Sequence, residues 1–573
     1  MAATPLPYAG QWWGERITCR IRSVSVGWWG RRPSARTPAV AATVTTRTTT
    51  EPALGRVRFV HALVRDTVYT DLSGVRRARL HDRVAQGLRR HRPHDLAALA
   101  FHFARTGRTA NAPLAVDYAL RAAELAERRY AHDVAVELIE HALEAHRAAV
   151  ADPDAAPDDT VALHVRLLAA QLRAGSTDAA RHTRQRAVDL AVRAGRDDLV
   201  AAVYGAWTEP SPWRSRLEGL FDRTALARLE RLADDAALDG ATRARVLQVL
   251  VDAVAAEEAP RAVRAAHAQL ALARAEGEPR LLASALMTSA KLLPHEAQGA
   301  LRTPLVAELR QLAEAHDLPA YRWVCEHLDG MTAATRNDPD GLRRHNAEAL
   351  ELARRYRMLW AQGIAAATSA MLATVTGRFD EAEARYAEAD GLLRRVGAHH
   401  ATGPRTLGLL TIRLAQGRAA DIEGVFRDLY AEIGTPVAVA HALVLARLGR
   451  LDEAAAVSIA PRPVTDHLYG LELDYRSELA VLLGDTETAA MLLGHLLPIR
   501  DQFAGTAGAA YATRPLAHAL ADLYRLLGED GAAAENYALA ERVASAWDSP
   551  HRLAEARRAA ARLTAERERR RTA

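Results

Sequence analysis

The sequence predicts an all-α protein, a right-handed solenoid of helical hairpins, and three observations lead to this prediction. Its 573 residues exceed the size at which one compact core stops growing, which favours an elongated array. Aromatic residues make up only 5% of the chain, and helix formers such as alanine, leucine, arginine and glutamate dominate. A glycine turn with similar neighbours also recurs through the C-terminal half of the chain.

The recurring turn indicates where one helix ends and the next begins. It occurs at Gly377, Gly417, Gly449, Gly484 and Gly528. The intervals are 40, 32, 35 and 44 residues, close to the period of roughly 34 residues that tetratricopeptide repeats show. Glycine adopts the left-handed conformation that ends a helix, and acidic residues just after it, such as Asp380, favour the N-terminus of the next helix. Each turn therefore predicts a pair of antiparallel helices.

The last predicted hairpin carries two apolar stripes with helical spacing. The stripes consist of Leu516, Leu520, Leu523 and Leu527, and of Ala533, Tyr537, Ala540, Ala544 and Trp547. A single hairpin cannot bury such a stripe alone, so neighbouring hairpins must stack. Stacking predicts an extended concave face, from about Ala361 to Trp547, as the surface on which a protein partner or a small-molecule inducer binds.

Four segments are predicted along the chain. Residues 1–53 lack a helical apolar period and are predicted to be a disordered tail, either from a misassigned start or as a functional basic tail. Residues 54–112 contain linking helices ahead of the repeats. Residues 113–210 form a first helical stack and residues 211–573 a second, because the proline-containing stretch from Trp207 to Trp213 interrupts the pattern.

The formal net charge of +5 is concentrated in three basic segments. Residues 1–51 contain seven arginines and two glutamates, residues 56–92 ten arginines and three aspartates, and residues 552–573 eight arginines and three glutamates. The remaining length is therefore acidic, which argues against a nucleic-acid groove along the array. Direct nucleic-acid binding through the basic ends is the weakest of the functions considered.

The sequence lacks the motifs of several common catalytic and metal-binding sites. Lys291 is the only lysine and is followed by leucine, so the glycine-rich loop of nucleotide-binding proteins, which ends in Lys-Ser/Thr, is absent. His295-Glu296 lacks the second histidine of a zinc protease. Cys19 and Cys325 lie too far apart for a metal motif. We therefore expect no catalytic residue, no cofactor and no metal site.

The same features predict the compartment. Two isolated cysteines do not form a disulfide framework, which favours a reducing cytoplasm. No window approaches the 18 or so apolar residues that a membrane span needs, and the N-terminus does not resemble a signal peptide. We expect a cytoplasmic protein without a membrane partner.

Two groups of side chains invite a ligand hypothesis. His91, His94 and His102 are close in the sequence, but Pro93 disrupts the helical spacing that a metal site needs, so surface or interhelical positions are the better interpretation. A second group flanks the break near residue 210. It consists of Tyr204, Trp207 and Trp213. These aromatic residues could line a ligand pocket, but the sequence favours a packing role, in which they fill the gap between two helical stacks.

Residues 56–92 carry an arginine-rich pattern. It contains Arg56-Val-Arg58-Phe59, His61, Arg65-Asp66, Tyr69 and then Arg76-Arg77-Ala-Arg79-Leu80-His81. The pattern resembles the end of the winged-helix segment that follows the nucleotide-binding domain in large bacterial signal-transducing ATPases, namely MalT-like LuxR regulators and SARP-type regulators. Leu99-Ala-Phe101-His102-Phe103 and the alanine-rich hairpins are similar as well. The resemblance implies a short winged-helix remnant within 54–112, before the repeats.

The resemblance also implies a function. In those families an ATPase acts as the switch, the repeats sense a small-molecule or protein signal, and a separate domain reads DNA. We therefore expect a non-catalytic sensor or protein-binding module of a transcriptional regulator, without its ATPase and its DNA-reading domain. A freestanding tetratricopeptide-repeat scaffold unrelated to transcription is the alternative. The basic segment is either a docking face for a separate ATPase domain or a packed helix pair with solvated arginines, and the face would consist of Arg58, His61, Arg65, Arg76, Arg77 and Arg79.

Overall fold

The computed structural model describes residues 48–51, 56–59, 66–67, 69–150, 156–207, 210, 223–255, 259–293, 298–396 and 403–572. Helices dominate these residues, which confirms the predicted fold class. The described residues form two compact units. The first comprises those within Met1–Arg129 and Glu137–Ala155, and the second those within Tyr130–Val136 and Ala156–Ala573.

The first unit combines one β-hairpin with helices. Its elements are β1 (Thr48–Glu51), β2 (Arg56–Phe59), α1 (Gly74–His91), α2 (Leu96–Ala104), α3 (Ala112–Glu127) and most of α4 (His132–Ala149). Ser73 begins α1, because its side chain accepts a hydrogen bond from the Arg76 N–H. Leu99 and Phe103 of α2 are buried against Ala85 of α1 and Ala115 of α3, and form the core of the unit.

A short β-hairpin lies at the end of the predicted tail. Thr48–Glu51 pairs antiparallel with Arg56–Phe59, with Thr48 opposite Phe59. A run of β-branched threonines favours extended backbone when a partner strand is available. The rest of the predicted tail, residues 1–47 and 52–53, lies outside the described residues.

The second unit is a succession of helices joined mostly by short turns. They are α5 (Pro157–Arg173), α6 (Thr177–Arg193), α7 (Asp197–Gly205), α8 (Arg223–Asp234), α9 (Gly240–Val254), α10 (Ala259–Glu276), α11 (Pro279–Leu292), α12 (Gly299–Ala315), α13 (Pro319–Thr335), α14 (Pro339–Arg355), α15 (Leu359–Val375), α16 (Phe379–Arg395), α17 (Pro404–Ala415), α18 (Glu423–Ile433), α19 (Ala438–Arg447), α20 (Leu451–Ala455), α21 (Tyr469–Leu483), α22 (Thr486–Leu496), α23 (Leu516–Leu526), α24 (Asp530–Ala546) and α25 (Pro550–Thr572).

The predicted glycine turns have the expected backbone. All five recurring glycines have positive φ angles, from 70° at Gly417 and Gly484 to 81° at Gly528. Each lies between the end of one helix and the start of the next. The left-handed conformation predicted for these positions is therefore confirmed.

The most regular part of the array lies mostly outside the region in which the glycine turns recur. From α12 to α16 each helix has 17 residues, and successive helices begin 20 residues apart. The turns between the first four of these helices use left-handed residues other than glycine, namely Asp317, Asn337 and Arg357. Asp and Asn tolerate this conformation better than most residues, so the turns form without the glycine that the sequence pattern relied on.

Both apolar stripes of the last hairpin are buried, but they do not face each other as predicted. The leucines pack with residues of α21 and α22, whereas Ala533 and Tyr537 pack with Ala521 of α23 and with α25. Leu516, Leu520 and Leu523 of α23 are fully buried, and so are Ala533 and Tyr537 of α24. Alanine on the second helix lets the two backbones approach closely. The stacking that the stripes required is confirmed for this hairpin, because α24 also packs against α25.

The division into units differs from the one expected. A boundary was expected near residue 210, but Val161 of α5 and Val246 of α9 belong to one buried cluster that continues across that point. Burial of the first helices against the later ones joins α5–α7 to the rest of the array. Apart from the short stretch Tyr130–Val136, which belongs to the second unit, the observed division lies near residue 155, between Pro153 and Pro157 of the sequence.

Replacing glycine by alanine should lower stability at a left-handed turn but not inside a helix. Gly449 has a φ of 78° in open space, so Gly449→Ala should lower the free energy of unfolding by about 1 kcal/mol through backbone strain alone. Gly494 lies inside α22, also in open space but with ordinary helical backbone, so the matched Gly494→Ala should leave stability unchanged or raise it by up to about 1 kcal/mol. Urea denaturation measures both, and equal effects would contradict the assigned turn.

Candidate binding site on the repeat array

Between α22 and α23 the chain leaves the hairpin pattern and forms a closed loop, the inserted loop (Asp501–Pro515). Backbone hydrogen bonds close its base: Ala504 N–H donates to the Arg514 carbonyl at 2.9 Å, and Leu516 N–H to the Gln502 carbonyl at 2.9 Å. Every residue from Gln502 to Ala509 is buried. The loop is therefore part of the interior of the second unit.

Small residues allow the loop to take its path. Gly505 and Ala509 have positive φ angles of 83° and 51°. A Cβ atom on Gly505 would lie 2.7 Å from the Tyr511 carbonyl oxygen, and one on Gly508 would collide with the His467 carbonyl. Larger residues at the two glycines would force the backbone to move.

Side chains of two successive hairpins bind the backbone carbonyls of this loop. Asn337, in the turn between α13 and α14, donates to the Asp501 carbonyl at 2.7 Å. Thr368 of α15 donates to the Ala509 carbonyl at 2.7 Å, and Tyr386 of α16 donates to the Ala510 carbonyl at 2.8 Å. Ala509 is buried, so the contact from Thr368 gives a partner to a carbonyl that water does not reach, while Asp501 and Ala510 lie nearer the surface.

A tryptophan fixes the orientation of Asn337. The Trp547 indole N–H can only donate, and it donates to Asn337 Oδ1 at 2.8 Å. The amide nitrogen of Asn337 is therefore left to donate to the loop. This assigns the two ends of the amide by chemistry, because the indole cannot accept a hydrogen bond.

Aromatic rings cover both ends of the loop. The Phe503 and Trp547 ring centroids are 5.8 Å apart, and Tyr511 stacks on Tyr386 at 6.1 Å. Burial raises the pKa of Tyr386 and Tyr511. Tyr386 therefore keeps its proton and remains a donor to the loop.

A buried ion-pair network anchors the base of the loop. Arg514 Nε donates to Asp474 Oδ1 and Arg514 Nη1 to Asp522 Oδ2, each at 2.7 Å, and Asp522 also accepts a 2.6 Å hydrogen bond from Tyr537. Burial alone would lower the pKa of Arg514, but the charges of Asp474 and Asp522 raise it well above its ordinary value. The guanidinium therefore stays charged inside the fold.

Neighbouring side chains extend this network towards α25. The His518 ring packs edge-on against Tyr537, and burial lowers the pKa of His518. Burial acts to raise the pKa of Glu555, but Arg552 and other cations outweigh it and lower the pKa to about 2. A histidine with a lowered pKa and a carboxylate with a lowered pKa therefore lie next to the anchor.

The structure gives the predicted docking residues different environments. Arg76 and Arg79 lie exposed on α1, whereas Arg77 is half-buried, with its guanidinium carbon 5.4 Å from the Tyr69 ring centroid and its Nη1 donating to the Tyr69 carbonyl at 3.4 Å. Arg58 lies in β2. His61 and Arg65 lie outside the described residues. On α1 the predicted face thus consists of two exposed arginines and one that packs on an aromatic ring.

The predicted pocket residues take part in core packing. Tyr204 is 4% exposed and belongs to the buried cluster that includes Leu229. Trp207 packs instead against the cluster that includes Leu168, with the Arg184 guanidinium 5.3 Å from its ring. Trp213 lies outside the described residues. Tyr204 and Trp207 therefore lie in separate clusters, and both contribute to packing inside the fold.

The histidines considered for metal binding are separated. His91 and His94 are exposed, while His102 is buried and its Nδ1 lies 2.9 Å from Nδ1 of His81. Burial, and then the neighbouring His81, lower the pKa of His102 to about 4. Within the described part of the chain no group of three or more possible metal ligands occurs.

Sequence reasoning missed the inserted loop. The 44-residue interval from Gly484 to Gly528 is the longest between recurring turns, and this excess was the available signal. The expected partner surface began near Ala361, in α15, but Thr368 of that helix is 1% exposed beneath the loop. The loop therefore buries Thr368, which lies within the span in which the partner surface was predicted.

Comparisons with known proteins give little. No family model matches the chain, and no curated protein matches it. Among solved structures it is similar to a "Circular tandem repeat protein with novel repeat topology and enhanced subunit contact surfaces", at 14% identity over 86% of this chain and 99% of that one. The TM-score is 0.12, so this likeness carries no argument. The repeat architecture rests on the helices and turns themselves.

No helix in the described ranges is both long enough and apolar enough to cross a membrane.

Removing the Arg514 side-chain charge should be strongly destabilising. Arg514→Met leaves Asp474 and Asp522 buried without their cation, which should cost about 3 kcal/mol or more of unfolding free energy. Arg354 is exposed on α14 and makes no ion pair with a described carboxylate, so the control Arg354→Met should change stability by less than about 0.5 kcal/mol. Urea denaturation compares the two, and a similar small effect for both would refute the anchoring role.

Proposed function

We propose that this protein is a non-catalytic helical-repeat module that binds an extended segment of a partner protein. The observation that carries the proposal is the set of side-chain donors that hold the carbonyls of the inserted loop: Asn337, Thr368 and Tyr386. The way these donors hold the backbone of the loop supports binding of a polypeptide segment by the array. Contacts to main-chain groups supply affinity in peptide recognition, and neighbouring pockets supply specificity.

The form of the array supports the same function. Its hairpins stack through buried alanine and leucine, so each hairpin is held by its neighbours and the donors keep fixed positions. Rigid positioning lowers the entropy cost of binding a flexible segment. A protein partner therefore suits the array better than a small-molecule inducer.

A displayed peptide library tests the binding function directly. Selection on the purified chain should yield peptides that bind saturably with micromolar dissociation constants, since one short segment can make a few backbone hydrogen bonds and bury one or two aromatic rings. Fluorescence anisotropy with the selected peptides measures the affinity. Failure to select any peptide that binds above background in repeated selections would count against the function.

A second candidate is the sensor part of a signal-transducing ATPase regulator, and it is favoured by the surface of α1. Arg76, Arg79, Arg83 and Arg90 follow helical spacing along one exposed face of this helix. None of the four makes an ion pair with a described carboxylate. The β1–β2 hairpin shortly before α1 is also the kind of element that a winged-helix segment contains. We propose this face as the docking site for an acidic surface of a separate ATPase domain.

Charge reversal tests the docking face. The DNA upstream of this reading frame should encode an ATPase domain, and that domain should bind the purified chain with an affinity that falls as salt is raised. Arg76→Glu combined with Arg79→Glu and Arg83→Glu should weaken binding at least tenfold in calorimetry, while Arg354→Glu on α14 should not. Unchanged binding by the triple variant would remove the docking face, and no upstream ATPase frame would remove the regulator hypothesis.

A further inference from the structure

We propose that the tip of the inserted loop (Gly505–Ala512) is an intramolecular ligand that occupies the peptide site of the array, and that a partner segment of the same chemistry replaces it. The partner segment would be rich in alanine and glycine, would carry a tyrosine, and would present two consecutive free carbonyls. This inference rests on the proposed function and names the class of segment that it binds.

The tip makes the contacts of a ligand. Thr368 and Tyr386 bind the consecutive carbonyls of Ala509 and Ala510, which every peptide has. Apart from Tyr511, which stacks on Tyr386, the side chains of the tip are small: the sequence from Gly505 is Gly-Thr-Ala-Gly-Ala-Ala-Tyr-Ala. Recognition therefore depends on backbone hydrogen bonds and one aromatic ring, which another polypeptide can supply.

The base of the loop can hold its place without the tip. Gln502 and Leu516 are joined by a backbone hydrogen bond of 2.9 Å, and Ala504 bonds the Arg514 carbonyl. The Arg514 side chain fixes the same base to Asp474 and Asp522. Because these contacts lie outside the tip, departure of the tip leaves the connection between α22 and α23 intact.

The tip lies inside the fold, so its replacement requires a local opening. Thr506, Ala507, Ala509 and Ala512 are each at most 1% exposed, and Ala509 and Ala512 belong to a buried cluster that includes Trp547. Ala509 adopts a left-handed backbone with φ of 51°, which is unfavourable for a residue other than glycine. Local openings of buried segments occur at free energies up to that of global unfolding, and apart from Tyr511 this segment has only small side chains to withdraw.

A peptide-binding experiment tests replacement of the tip. In one variant, residues 505–512 are replaced by a glycine-serine linker of equal length, and the probe is a fluorescent synthetic peptide of residues 501–516. The peptide should bind this variant with a micromolar dissociation constant. It should bind the parent chain at least tenfold more weakly, because the tethered tip competes at an effective concentration in the millimolar range. A Tyr511→Ala peptide should bind the variant at least tenfold more weakly than the parent peptide does.

Two results would overturn the inference. One is the absence of saturable peptide binding to the variant while its circular dichroism and cooperative melting remain those of the parent. The other is equal binding to variant and parent. If library-selected peptides still bind the chain in either case, the proposed function stands and only the assignment of the tip as a ligand fails.

Hydrogen exchange on the intact chain covers the case in which the variant does not fold. Amides of the tip should exchange through a local opening that leaves α15 and α16 protected. Thr368→Val combined with Tyr386→Phe should speed exchange in the tip at least tenfold, while Thr183→Val, which removes a buried hydroxyl from α6, should not. Exchange of the tip only together with α15 and α16 would show that it is an inseparable part of the core and would refute the inference.

Discussion

The backbone of the inserted loop is buried, and its carbonyls must have hydrogen-bond partners there. Each unpaired carbonyl inside a protein lowers the free energy of unfolding by about 1 to 3 kcal/mol. A loop is therefore stable in the interior only where neighbouring groups donate hydrogen bonds to its carbonyls. Thr368 and Tyr386 meet this requirement from two successive helices. The positions of α15 and α16, the protonated state of Tyr386 and the path of the loop therefore depend on one another.

The ion pairs at the base of the loop compensate the buried charge of Arg514. Arg514 is 6% exposed, and a single buried guanidinium would be costly without carboxylates. Asp474 comes from α21 and Asp522 from α23, so the same cation joins the helices before and after the loop. The Arg514 ion pairs thus fix the register between the last hairpins. The tip lies beyond them and is held by hydrogen bonds, one ring stack and the burial of its alanines.

The two candidate surfaces of this protein differ in physical character. The site on α15 and α16 is buried and nearly uncharged, and it recognises a polypeptide backbone by hydrogen bonds to its carbonyls. The face of α1 is exposed and basic, and it acts through long-range attraction that salt weakens. A repeat protein with both could hold one partner by a docked segment and attract another by charge, and the experiments above separate the two because each variant touches one surface.

The sequence by itself determined the helical class, the glycine turns and the apolar stripes, because these depend on residues close together in the chain. Gly449 ends its helix through its own backbone freedom, and Leu520 repeats with the period of its own helix. The sequence did not reveal the regular turn at Asn337, since a left-handed residue that is not glycine leaves no clear local mark. Nor could it place Thr368 against Ala509, because these residues are 141 positions apart and neither belongs to a motif. Only the tertiary structure decided that the loop would pack against α15 and α16, since burial of a loop depends on donors that distant helices supply.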